Sequence, residues 1–197
     1  MHADVSPLPE STGNREDLTH PVEHVVNRLP NTPAVVVDRI GNILTENALA
    51  GELFSEFVIR DNIVKMAFLD PAAHHDEDSW RSQARDSITT LRRAYQRTPD
   101  DVAAGRLVSE LLRSSESFRT MWIRRAWTRR LDSPADGGDH THAHRVFRHP
   151  EMGTLMVDEV ALASAAEQGK TVLVYVPAPG SASDDALRIL GTLRARI

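Results

Sequence analysis

Three histidines at alternating positions, His140, His142 and His144, come nearest in this sequence to the spacing of a metal site. Alternate residues of a strand share a face, and imidazole nitrogens ligate zinc, copper or nickel. The tract nevertheless follows Pro134, Gly137, Gly138 and Asp139, a loop composition that leaves such histidines in solvent. Beyond Asp139 and the more distant His149 no fourth ligand offers itself, so these three are weak metal candidates and no cofactor is expected. A second cluster, His74-His75-Asp76-Glu77-Asp78, sets bases beside acids as proton transfer requires. It reads better as the acidic first turn of an exposed helix.

Other chemistries fail on spacing. Gly169-Lys170-Thr171 would end a nucleotide-binding P-loop, but the required glycine is Ser164 and the lysine leads into a strand instead of a helix. No two glycines stand two apart, so the dinucleotide fingerprint is missing, and there is neither Gly-x-Ser-x-Gly nor His-Glu-x-x-His. The absence of cysteine removes disulfides, thiolate zinc sites, cysteine-held clusters and a thiol nucleophile. No catalytic residue is therefore expected. Between Val102 and Arg130 seven arginines face two glutamates, and Arg124, Arg125, Arg129 and Arg130 share a helix with Trp127. This run reads as a solvated basic face or an interface with acidic segments.

The chain has 197 residues, 41% hydrophobic and 26% charged, enough for one domain with a full core. Its net charge of −5 creates no global field for nucleic acid. No run spans a bilayer and the N-terminus lacks a secretion signal, so the expectation is a soluble, unexported, cytoplasmic protein without a membrane partner.

The elements that must position these residues follow from periodicity. Residues 1–19 are polar, with prolines at 7 and 9, and read as a flexible leader to a single domain over 20–197. Thr19 and Pro21 open a short helix carrying Val22, Val25, Val26 and Leu29. Ala34 to Val37 and Ile43 to Thr45 read as strands around a Gly41-Asn42 turn, with Thr45 capping a helix that carries Leu49, Leu53, Phe54 and Phe57. Helices are expected from Asn62 to Phe68, from the acidic cluster through Trp80, Ala84, Ile88, Leu91 and Tyr95, from a Thr98 cap through Leu107 to Leu112, and from a Ser115 cap through Phe118 and Trp122. Leu131 to His142 reads as a loop. Strands follow at His144 to His149, Thr154 to Val157 and Thr171 to Val176, then a helix capped at Ser181 to Asp184 with Leu187, Leu190 and Leu193 inward.

Ala34 to Val37 and Val172 to Val176 are apolar on both alternating faces, so both belong centrally. The expectation is an α+β fold: a PAS-like five-stranded antiparallel sheet with first and last strands adjacent, a helical layer over one face, and the N-terminal helix, the C-terminal helix or a second subunit over the other. The inward aromatics gather where such a fold holds its cavity between sheet and helices. Phe54, Met66, Phe68, Trp80, Leu91, Phe118, Trp122 and Phe147 are the pocket candidates.

Pro33 to Val37, Leu44-Thr45-Glu46-Asn47-Ala48-Leu49-Ala50, Asn62 to Pro71, Trp80 and Leu91-Arg92 resemble the MmyB-like transcription regulator ligand-binding domain. Pro99-Asp100-Asp101, Leu107 to Leu111, Ser117-Phe118-Arg119 with Trp122, His149 to Leu155, and Val174 to Ser183 continue the resemblance in order. Together they cover about residues 22 to 193. The resemblance implies a dimeric sensor of a small, largely apolar, fatty-acid-like molecule, following a helix-turn-helix domain of the Xre or Cro type in bacterial regulators. That DNA-binding domain is not expected within these residues, where a leader and one short helix precede the sensor. Glu46 stands where the family has Trp, Lys65 where it has Arg, and the histidine loop is longer. Two readings from other classes stand beside the sensor: a metal-dependent enzyme using the 140–144 histidines, and an interaction module whose basic helix meets an acidic partner.

Overall fold

The computed structural model describes residues 21–124, 142–165 and 167–194. The leader, Thr19, the basic residues Arg125, Arg129 and Arg130 with Trp127, the loop from Leu131 to 141 and His140 lie outside the described residues. The elements run α1 (Pro21–Asn27), β1 (Ala34–Val37), β2 (Ile43–Glu46), α2 (Ala48–Leu53), α3 (Ile63–Leu69), a 3-10 turn (Pro71–His75), α4 (Glu77–Arg97), α5 (Val102–Ser114), α6 (Glu116–Ile123), β3 (His142–His149), β4 (Gly153–Ala163), β5 (Thr171–Val176) and α7 (Ala182–Arg194).

The five strands form one antiparallel sheet in the order β2-β1-β5-β4-β3, the PAS-like order, with Ala34 opposite Val174 and Val37 opposite Thr171. Cross-strand partners share a face, so the registers divide the sheet into front and back. On the front, Val35, Val37, Leu155, Val157, Leu173, Tyr175 and Phe147 pack against Leu49 and Leu53 of α2 and Ala186, Leu187 and Leu190 of α7. On the back, Ala34, Val36, Val172 and Val174 meet Val22, Val26 and Leu29. The C-terminal helix therefore does not close the back. Gly180, at φ +71, turns the chain so that α7 returns over the front beside α2.

A second apolar core lies among the helices. There Val64, Ala67 and Phe68 of α3 meet Ala84, Ile88 and Leu91 of α4, Leu107, Val108 and Leu111 of α5, and Phe118 of α6. Helix α3 joins the two cores, since its Met66 faces the sheet while its neighbours face the bundle. Its start is fixed by Asn62, whose Oδ1 accepts from the amides of Val64 (2.8 Å) and Lys65 (3.1 Å) while Nδ2 donates to the Ile40 carbonyl (3.1 Å).

Several boundaries differ from the local reading, each for a longer-range reason. Thr45 stays in β2 opposite Val36, and Asn47 caps α2 instead. That helix ends at Leu53, so Phe57 lies beyond it, yet its ring still sits 6.1 Å from that of Phe54. Thr98 is the C-cap of α4, its amide donating to the Ala94 carbonyl, and Asp101 caps α5. Strand β3 starts at His142, and β4 runs on to Ala163, because Asp158 to Ala163 find partners on β5 that local periodicity does not reveal. Val25, Tyr95 and Leu193 face solvent despite their apolar spacing.

Candidate functional site

The structure divides the eight pocket candidates between the two cores. Phe54, Met66 and Phe147 are buried in the sheet core, where Phe54, Phe147 and Tyr175 form a triangle of rings with centroids 5.5–5.6 Å apart. Phe68, Leu91 and Phe118 are buried in the helical core, with Trp80 and Trp122 half-buried at its margin. Phe68 meets Phe118 edge-on at 5.1 Å, and Phe118 stacks on Trp122 at 5.2 Å with 18° between the planes. Trp80 is fixed by its indole N–H, which donates to the Ala67 carbonyl at 2.8 Å.

Between the sheet and α4 lies a polar seam. Arg145 of β3 points inward, its side chain 2% exposed, and donates to Glu159 Oε1 at 2.9 Å, Asp86 Oδ2 at 2.8 Å and Ser82 Oγ at 3.2 Å. Burial opposes the charge on this guanidinium, but Glu159 and Asp86 outweigh it and hold the group protonated beyond its ordinary range. The fully buried Tyr175 hydroxyl is pushed well above the phenol range by desolvation and by Glu159. The seam closes the sheet–helix interface with ion pairs. Its members were missed in the sequence, although the alternation that turns Phe147 inward also turns Arg145 inward, and a longer β4 would have done the same for Glu159.

Open volume lies one layer further out. A groove of about 510 Å³ runs between α4 and α6, lined by Glu77, Trp80, Arg81, Arg85, Glu116, Ser117, Thr120 and Met121. Its apolar wall is the outer surface of the helical core. A second groove, about 610 Å³, lies along α5 beside Tyr95 and is bordered by the more polar set Arg106, Ser109, Glu110 and Arg113.

A family model, that of the MmyB-like transcription regulator ligand-binding domain, matches residues 18–190. The chain belongs to this family. No curated protein matches the sequence. Membership of a regulator's ligand-binding family makes this MmyB-like domain a small-molecule-binding unit of a transcription regulator.

Glu46 and Lys65, singled out in the sequence, are engaged in local ion pairs, although the buried Oε2 of Glu46 has no partner among the described residues. Glu46 pairs with Arg60 at 2.6 Å, and Lys65 reaches Asp61 and Glu110, each at 3.4 Å. Burial pulls the Lys65 ammonium down, but the two carboxylates together raise it above its ordinary value. Of the histidine tract, His144 faces the back of the sheet and pairs with Asp158 at 3.4 Å, both exposed. Among the described residues no group of three or more His, Asp or Glu is placed to hold a metal ion. Nor is any described helix long and apolar enough to cross a membrane.

Proposed function

We propose that this domain senses a small, largely apolar, fatty-acid-like molecule held in the α4–α6 groove, and that the bound molecule biases the arrangement of the helical layer against the sheet. The groove itself carries this reading. Its volume falls in the range of small-molecule sites, its wall is Trp80 and Met121 over the helical core, and two arginines and two glutamates border it. The response is conformational, no catalytic residue is assigned, and DNA is contacted through a helix-turn-helix domain outside residues 21–194.

Native mass spectrometry of the freshly purified protein, with and without added dodecanoate, tests the reading. We expect a bound mass that is lost on denaturation and excluded by Thr120→Trp, which fills the groove. A protein that carries no lipid and takes up no dodecanoate overturns it.

The domain is also proposed to act as a cytoplasmic homodimer. Among the described residues α1 alone packs on the back of the sheet, leaving Met156, Leu162 and Val176 exposed beside half-buried Val146, Val160, Val172 and Val174. Leu162→Glu should convert the dimer to monomer in light scattering without lowering the melting temperature. An unchanged mass would rule out this face.

A further inference from the structure

Helix α4 belongs to one core and is fastened to the other by polar bonds. Its Ala84, Ile88 and Leu91 face the helical core, with Trp80 at the margin, and among the described residues none from α4 belongs to the sheet core. Toward β3 the helix presents Ser79, Ser82 and Asp86 instead. Ser79 Oγ accepts from the Val146 amide at 2.9 Å, Ser82 Oγ from Arg145 Nη1 at 3.2 Å, and Asp86 Oδ2 from Arg145 Nη2 at 2.8 Å. At about 3.6 residues per turn, these three lie roughly opposite the α4 residues that line the groove, Glu77, Trp80, Arg81 and Arg85.

The two carboxylates that balance Arg145 are not equivalent. Glu159, on the neighbouring strand, accepts from Nε at 3.3 Å and Nη2 at 2.9 Å, so this pair stays within the sheet whatever α4 does. Asp86 belongs to the helix and would leave with it, and its side chain is 48% exposed, so water can receive its charge. Parting α4 from β3 therefore leaves Arg145 countered and exposes little apolar surface. Such a joint opens at lower cost than a packed apolar interface or a lone buried ion pair. Its direction follows from the helix faces. The groove lies on the side of α4 away from β3, so a helix released from β3 moves into the groove and narrows it.

We propose that the Ser79–Ser82–Asp86 joint seats α4 where the groove is open, which makes Asp86 a positioning residue for the sensed molecule without touching it. This rests on the groove reading above and deepens it, because it names the contact through which occupancy of the groove reaches the sheet. Occupancy and the seated joint then favour each other.

Calorimetric titration of the full chain with dodecanoate, paired with amide hydrogen exchange, tests the proposal. In Asp86→Ala the affinity should weaken by about 5- to 20-fold as the seated population falls, and in Asp86→Asn, which keeps an oxygen for Arg145, by less. Asn47→Ala, destabilised outside the groove and the joint, should stay within about twofold of wild type. The Val146 amide should exchange faster in Asp86→Ala, by a larger factor than the Leu173 amide. In wild type, dodecanoate at about ten times its Kd should slow Val146 exchange about tenfold. An affinity unchanged in Asp86→Ala, a loss matched by Asn47→Ala, or Val146 exchange that dodecanoate leaves alone would overturn the proposal while the groove reading stands. If the wild type takes up no dodecanoate, both fall together.

Discussion

Asn47→Ala should be the most informative single change outside the groove, because one side chain there ties four segments together. Asn47 is almost fully buried. Its Oδ1 accepts from the amides of Ala34 in β1 (3.1 Å) and Ala50 in α2 (2.9 Å). Its Nδ2 donates to the carbonyls of Val26 (3.4 Å), Leu29 (2.9 Å) and Thr32 (2.8 Å), which end α1 and lead into the sheet. Truncation removes the α2 cap, about 1 kcal/mol. It also leaves the Ala34 amide buried without an acceptor, about 1–3 kcal/mol. The three carbonyls add less, because the Leu29 amide also serves Val26. The sum is about 3 kcal/mol, or a melting temperature lower by roughly 6–12 °C for a chain of this size. Asn47→Asp separates the two halves of the knot. It retains the acceptor but sets a carboxylate against three carbonyl oxygens, so it should cost at least as much as alanine, although aspartate is a good cap. Hydrogen exchange at Val26 and Leu29 should accelerate in both variants while Leu173 and Tyr175 stay protected. A loss below about 1 kcal/mol for alanine, or an aspartate variant as stable as wild type, would refute the view that this residue couples α1 to the sheet.

Three further outcomes follow from the same physics. Arg145→Met should cost about 3–5 kcal/mol in urea unfolding, since Glu159 and Asp86 lose their cation, and Arg145→Met with Glu159→Met should regain much of that loss. Gly41→Ala should lose about 2–3 kcal/mol by the same assay: φ is +86°, and a Cβ would stand 2.9 Å from Ile63 Cγ1 and 3.0 Å from Val64 Cγ2. The buried Tyr175 has its pKa raised in the folded state, so its stabilisation is complete below the unfolded phenol value, about 10, and is lost as pH climbs from there toward the folded value. Alkaline titration should show this phenol ionising only with unfolding, and Tyr175→Phe should flatten the decline in stability above that point.

Local sequence determined what acts within a turn or along a strand. The uniformly apolar Ala34 to Val37 could only be central, Gly41 could only be a turn, and Ser115 caps α6 through the Phe118 amide as its spacing requires. The collinear motifs that carry the family resemblance are likewise read directly from the chain, and the family match covers the same stretch. Tertiary structure decided what depends on partners far away in the chain. It extended β4 by pairing Asp158 to Ala163 with β5, took Thr98 for one helix end and gave the next to Asp101, and split the aromatic residues into two cores on either side of α3. Above all it decided which inward-facing charges are matched. Arg145 and Arg92 look alike in the sequence. Folding places Asp86, 59 residues away, beside Arg145, and among the described residues sets only backbone carbonyls and an indole ring beside the half-buried Arg92. Periodicity reports which face a side chain takes, whereas charge balance in a low-dielectric interior depends on ångström distances between segments that the chain brings together only when it folds.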